Sequence, residues 1–364
     1  MKMPTDVIRE EIRQSGVIPF VRFMELALYC PETGYYETQK DNVGRAGDFI
    51  TSVSVGSLFG EMLAFEFAEW LEELRITNCK LHLLEAGAHD GKLAADILGW
   101  LQNHRPKIFS EMEYGILEPS ARRQDWQRKT LKAYPNVRWF SGFNDPTIQR
   151  FDGVLFSNEL LDAFPVRRLG WDAAKKVWFE WGVNFNTGKM GWVKIFNPTS
   201  GLPSSISQLP DSFLKVLPDG YTLELSTAAE NWWRAAAGIL SRGKLLAIDY
   251  GFTVREQFSP ARLQGTLRAY HRHRISDDLL ANPGEQDLTA HVNFSAIQKA
   301  GEEAGMKTEN FCTQPQLLAR ILQKAVAETS FTAWSASRAR QFQALTHPEH
   351  LGRAFRVLVQ TRAQ

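Results

Sequence analysis

The stretch Leu81–Leu98, LHLLEAGAHDGKLAADIL, decides how the chain is read. It opens as the end of a strand, KLHLLE, closes that strand on Glu85, turns through Gly87 and Gly91, and enters a helix. Leu93, Ile97, Leu98 and Leu101 share one face of that helix at the spacing of a 3.6-residue repeat. Glycine adopts backbone conformations closed to other residues and lets the chain approach a ligand. The helix start that follows offers free N–H groups and the positive end of a dipole. In an open parallel sheet such a turn lies beyond the carboxyl ends of the strands, where ligands bind.

Working outward, strands and helices alternate. EYGILE reads as a strand, SARRQDWQRKTLKAY as a helix, VRWFS as a short strand, GVLFSNE as a strand and KLLAIDYG as another. NFSAIQKAGEEAG is a helix closed by Gly305, and MKTENFC and FRVLVQTR are two last strands. Short strands separated by helices predict an α/β fold, a doubly wound and mostly parallel seven-stranded Rossmann-like sheet. Ahead of it come helices over Thr5–Ser15 and Phe20–Tyr29, a Gly-rich loop from Gly34, and a helix over Leu58–Leu74. KVWFEWGV and KMGWVKIF, joined by NFNTG, predict a hairpin in an inserted β-rich arm. The expected division is 1–78 as an N-terminal helical segment, 79–165 and 228–364 as the two halves of the core, and 166–227 as the arm.

A dinucleotide fingerprint, G-x-G-x-x-G, would need glycine at positions 89 and 92, which are His89 and Lys92. NAD and FAD are therefore disfavoured. The pattern E-x-G-x-x-x-G suits S-adenosylmethionine, which has no pyrophosphate to cradle. Glu118 ends the second strand, where a carboxylate can accept both ribose hydroxyls. Glu85, Gly87, Gly91 and Glu118 are the cofactor-binding candidates.

Bulk properties narrow the classes. The chain has 364 residues, 42 Lys and Arg against 41 Asp and Glu, and a formal net charge of +1. That balance gives no support to nucleic-acid binding. The basic run Ser120–Lys132 reads as a solvated helix face. Cys30, Cys79 and Cys312 are scattered, which argues against a disulfide framework and a structural zinc site. No metal is expected, since there is neither HExxH nor a carboxylate cluster at ligand spacing. No apolar run reaches the roughly 18 residues that a membrane span needs, and the acidic N-terminus is unlike a targeting peptide. A cytoplasmic protein is expected.

Six ordered blocks resemble the MidA-like methyltransferases. They are IPFVRFMELALYCPETGYY, GDFITS with FGEML, LLEAGAHDGKLAADIL, SNELLDAFPVRR, AIDYGF with GTLRAYHRHR, and PGEQDLTAHVNFS. The family includes a mitochondrial complex I assembly factor and bacterial relatives. The resemblance implies a class I fold dependent on S-adenosyl-L-methionine and methylation of protein arginine. It also implies a protein substrate, in one branch a respiratory-complex subunit, and raises Asp48, Thr51 and Ser52 to cofactor ligands. The chain departs from the family where His89 stands in place of a glycine, at Val53 and Ser54 after GDFITS, and at His291 and Asn293.

SNELLDAFP follows the fourth strand, where transfer chemistry belongs in such a fold. Asn158 offers a donor and an acceptor, and Glu159 and Asp162 offer carboxylates. A guanidinium, protonated below a pKa of about 12, needs carboxylates to orient it. Glu159 is the first catalytic candidate, then Asp162, which could equally serve a helix N-terminus, and Asn158. His271, His273, Asp287 and Thr289 are weaker candidates, and Asp249 stays open. The rival reading is an assembly or binding protein that retains the fold, and methylation of a small molecule is a third.

Overall fold

The computed structural model describes residues 2–38, 51–75, 80–198, 201–207, 209–259, 262–271, 274–327, 331, 334–348, 351–352 and 355–363. By its internal contacts the chain divides into two compact units. One comprises 41–161, 230–251 and 294–364, the other 1–40, 162–229 and 252–293.

Among the described residues the first unit holds seven strands: β1 (Leu81–Ala86), β2 (Met112–Leu117), β3 (Arg138–Phe140), β4 (Phe151–Asn158), β5 (Leu240–Phe252), β6 (Lys307–Thr313) and β7 (Phe355–Arg362). They run in the order β3-β2-β1-β4-β5-β7-β6. The neighbours from β3 to β5 are parallel. β7 is antiparallel to both β5 and β6. The order reverses between β1 and β4, in register at Ala86 and Ser157. That reversal makes the carboxyl ends of these two strands the switch point of the sheet.

The strands are apolar because both faces are covered. β2 is buried at every position, and β1 at every position but His82. The covering helices include α1 (Leu58–Leu74), α2 (Lys92–His104), α3 (Ala121–Thr130), α4 (Phe294–Glu303) and α5 (Gln314–Ala327). α2 buries Leu93, Ala94, Ile97, Leu98, Trp100 and Leu101, the face expected from its spacing. α1 is buried nearly all round, which Phe59, Met62, Leu63, Phe67 and Leu71 require. These side chains join Leu83, Val154, Phe156 and Leu246 of the sheet in one core.

The second unit is built on strands Arg167–Asp172, Val177–Asn186, Lys189–Phe196 and Thr222–Leu225, with the two-residue strand Ile18–Pro19. The predicted hairpin turns at Thr187 and Gly188, both at positive φ (49° and 84°), as a two-residue turn of this hand requires. Helices Pro4–Ser15 and Phe20–Tyr29 share a core with the hairpin and with segment 252–293, through Ile8, Phe20, Phe23, Val183, Leu267 and Leu288. Two expectations are adjusted. Residues 252–293 group with the N-terminal helices and the arm, because Leu267, Ala269, Leu280 and Leu288 bury themselves there. The loop expected from Gly34 begins with a helical turn, Tyr35–Thr38.

Candidate active site

The turn after β1 is made by backbone that only some residues tolerate. Gly87 has φ 75° and Gly91 φ 84°. A Cβ on Gly87 would stand 2.8 Å from Leu160 Cδ1. His89, between them, also lies at positive φ (47°), a conformation that costs a branched or bulky residue energy. Asp90 accepts the Lys92 N–H at 3.0 Å and so caps the start of α2. Glu85 is 2 % exposed, and its Oε2 accepts from the Tyr114 hydroxyl at 2.5 Å. Burial, offset in part by that hydrogen bond, pushes the Glu85 carboxyl up to about 7.

Glu118 follows β2 and is 1 % exposed. Its carboxylate accepts from the Ser120 N–H at 2.9 Å and from Gln127 Nε2 at 3.2 Å, and pairs with Arg123 at 2.9 Å. It is thus a buried acid held by several donors, not a solvated strand end. The basic run Ser120–Lys132 needs the matching correction. Although most of α3 meets solvent, Arg123 closes on Glu118 and Gln127 is fully buried beneath it.

The end of β4 is held differently. Glu159 takes φ 51° without being glycine. Its N–H donates to the Ile248 carbonyl at 2.9 Å. The next two N–H groups, of Leu160 and Leu161, donate to Asp249 Oδ2 at 3.1 and 2.7 Å. Asp249 is fully buried at the same sheet edge, so this carboxylate fixes the turn that carries Glu159. Glu159 Oε1 accepts from the Ser52 N–H and from Asn158 Nδ2, each at 3.3 Å. Thr51 caps the short helix Ser52–Val55 in a reciprocal pair with Ser54. Ser52 Oγ donates to Gln314 at 3.0 Å. The structure therefore brings Ser52, Asn158 and Glu159 together, and Asp48 lies outside the described residues.

Asn158 Oδ1 is buried with no hydrogen-bond partner among the described residues. An acceptor left so at the switch point is costly unless a ligand donates to it. S-adenosyl-L-methionine has matching donors, the methionine ammonium and two ribose hydroxyls, for Glu85, Glu118 and Asn158. The N–H groups at the start of α2 suit its carboxylate. The residues present fit that molecule.

Asp162 belongs to the second unit, in the first turn of the short 3-10 helix Leu161–Ala163, where its carboxylate accepts backbone N–H groups of Asp162 and Ala163. Burial pushes its carboxyl up to about 7. The same unit places Asp287 on strand Asp287–Thr289, where it accepts from the Tyr36 hydroxyl at 2.8 Å. Tyr36, stacked on Tyr29 with ring centroids 5.5 Å apart, is a residue that sequence patterns did not single out. Strand Asp287–Thr289 pairs antiparallel with strand Arg268–His271, which sets Thr289 opposite Arg268. His271 ends a strand with its Nδ1 2.8 Å from the Glu285 carbonyl, and His273 lies outside the described residues. Among the described residues no group of three or more His, Cys, Asp or Glu is placed to hold a metal, and no helix is long and apolar enough to cross a membrane.

Comparison with known proteins points to the same cofactor. A family model described as "Putative S-adenosyl-L-methionine-dependent methyltransferase" matches residues 62–312. The mitochondrial protein arginine methyltransferase NDUFAF7 homolog of Drosophila melanogaster is 27% identical over 384 residues, covering 96% of this chain and 83% of its own. Its Caenorhabditis elegans counterpart is 30% identical over 322 residues, covering 79% and 69%. A Burkholderia thailandensis protein crystallised with S-adenosyl-homocysteine superposes with a TM-score of 0.84 at 32% identity, covering 99% of this chain and 92% of that one. The expectation of a cytoplasmic protein is overturned here, because the curated relatives are named as mitochondrial.

Proposed function

On the premise that this chain belongs to the S-adenosyl-L-methionine-dependent methyltransferase family, we propose that it methylates an arginine side chain of a protein. The observation that carries the site assignment is the buried acceptor Asn158 Oδ1 beside Glu159 at the switch point. S-adenosyl-L-methionine, when bound, supplies an electrophilic methyl group on a sulfonium. Glu118 holds the ribose hydroxyls, and Glu85, Asn158 and the turn Gly87–Gly91 receive the methionine end. Thr51 and Ser52 complete the cofactor side by fixing the short helix over which Glu159 is hydrogen-bonded.

Glu159 grips the guanidinium. Two N–H bonds to one carboxylate orient the remaining nitrogen and hold the positive charge that the group keeps below a pKa of about 12. Orientation of this kind can be worth roughly 7–11 kcal/mol, which makes positioning the main task of the residue. Its left-handed backbone suits that task, since strain at a fixed turn marks a side chain aimed by its surroundings. The client is a protein, and by the family resemblance a respiratory-complex subunit.

The test incubates wild type and Glu159→Gln with methyl-tritiated S-adenosyl-L-methionine and a hypomethylated protein extract. Methylarginine is then read after hydrolysis. Wild type should form it, and the variant should not while binding S-adenosyl-homocysteine as well as wild type does. Full transfer by the variant removes Glu159 from the mechanism. Label recovered only in small molecules would overturn the protein substrate.

A further inference from the structure

α3 carries a fully buried amide that no part of the chemistry above requires. Gln127 Nε2 donates to two acceptors, the His89 carbonyl at 3.1 Å and Glu118 Oε2 at 3.2 Å. Its Oε1 accepts from Trp139 Nε1 at 2.9 Å. An indole nitrogen can only donate, so Trp139 fixes which end of the amide faces it, and the NH₂ must face the other two groups. Those two groups belong to different parts of the site. His89 is the middle of the turn after β1, and Glu118 is the acid after β2. The main chain is close here as well, for a Cβ on Gly91 would stand 3.3 Å from Gln127 Cα.

We propose that Gln127 is a positioning residue for the cofactor, tying the glycine turn to the ribose-binding carboxylate so that both ends of one ligand meet groups already in place. This rests on the assignment of Glu118 and the turn to S-adenosyl-L-methionine. A glutamine suits the position and a glutamate does not. A carboxylate there would oppose both Glu118 and a carbonyl oxygen, and could accept from Trp139 but donate to neither. The charged and titratable groups around the amide are Glu118 with Arg123, the neighbouring Asp90 and His89, and Arg128, whose guanidinium lies over Trp139 at 4.8 Å. None of them supplies the missing donors to both acceptors at once.

The test measures affinity for S-adenosyl-homocysteine by calorimetry in wild type, Gln127→Glu, Gln127→Ala and Glu118→Ala, each first shown folded by its melting curve. Losing a buried hydrogen bond to a charged group should weaken binding roughly tenfold to a hundredfold in both Gln127 variants at pH 8. In Gln127→Glu, the ratio to wild-type affinity should recover toward pH 5.5, as the introduced carboxyl gains a proton that it can share with Glu118. Gln127→Ala should show no such recovery. Wild-type affinity in both folded Gln127 variants, whatever their melting temperatures, overturns the proposal while a weakened Glu118→Ala leaves the cofactor site standing. Unchanged affinity in Glu118→Ala overturns the site assignment and the proposal with it.

Discussion

The turns after β1 and β4 stand side by side at the switch point, and both leave the usual backbone regions. They do so by opposite means. After β1 the chain uses Gly87 and Gly91, for which positive φ is almost free, and only His89 between them pays for it. After β4 it uses Glu159, for which the same conformation is strained, and Asp249 holds it by taking two successive N–H groups. A turn that must admit a ligand's backbone contacts is written in glycine. A turn that must aim a particular side chain keeps the side chain and places the restraint on another strand.

Breaking the first turn should have the largest effect. Gly87→Val puts a branched side chain at φ 75° and 2.8 Å from Leu160 Cδ1, so S-adenosyl-L-methionine affinity should fall by at least roughly a hundredfold. Unchanged affinity by calorimetry would move the ligand elsewhere. Next comes the restraint on the second turn. Asp249→Ala leaves one buried and one part-buried N–H group without their acceptor, and should cost about 2–4 kcal/mol in chemical denaturation. Transfer should fall further than S-adenosyl-homocysteine affinity, because Glu159 is released; equal losses would mean that the turn serves both alike.

Glu85 sharpens the comparison through pH. Its carboxyl titrates at about 7 in the fold, above the usual 4.5, so the unfolded chain releases its proton first as pH rises. The contribution of Glu85 to stability is therefore present below about pH 4.5, falls across the interval to 7, and is absent above it. Glu85→Gln, which keeps an acceptor for Tyr114, should raise stability at pH 8 by about 1–2 kcal/mol and by much less at pH 5. Melting temperatures at the two pH values decide this, and an equal shift at both would remove the buried charge from the account. Asp162, also titrating at about 7, acts in the same direction in both proteins and cancels. The smallest change is His89→Gly. The left-handed residue is present in the free and the bound protein alike, so its relief should change stability more than binding and leave cofactor affinity within about twofold of wild type. A larger gain would show that the imidazole itself obstructs the ligand.

What the sequence revealed, and what it hid, follows the same division. Glycines with a strand before them and a helical repeat after them are local signals, and the β1 turn and the strand-ending acids Glu85 and Glu118 were visible in them. Glu159 was named from the chemistry of SNELLDAFP, but its left-handed backbone was not legible there. Gln127 was not visible, and Asp249 showed only as a strand-ending acid without a role, because their partners are remote. Gln127 reaches His89 across 38 positions, and Asp249 reaches Leu161 across 88. In the sequence Gln127 is one more polar residue of a basic helix, and only the fold turns it inward. The grouping of 252–293 with the N-terminal helices was hidden for the same reason, since Leu267 and Leu288 give no local sign of the core they enter. Location was misjudged because a composition near neutrality and an acidic first helix say nothing about the compartment in which relatives work.

The central claim is that the turn after β1 takes S-adenosyl-L-methionine. Titration calorimetry of the purified protein with that molecule, and with NADH under the same conditions, tests it most directly. Saturable binding of S-adenosyl-L-methionine with no heat from NADH is the predicted result. Binding of NADH alone, or of neither, would contradict the claim.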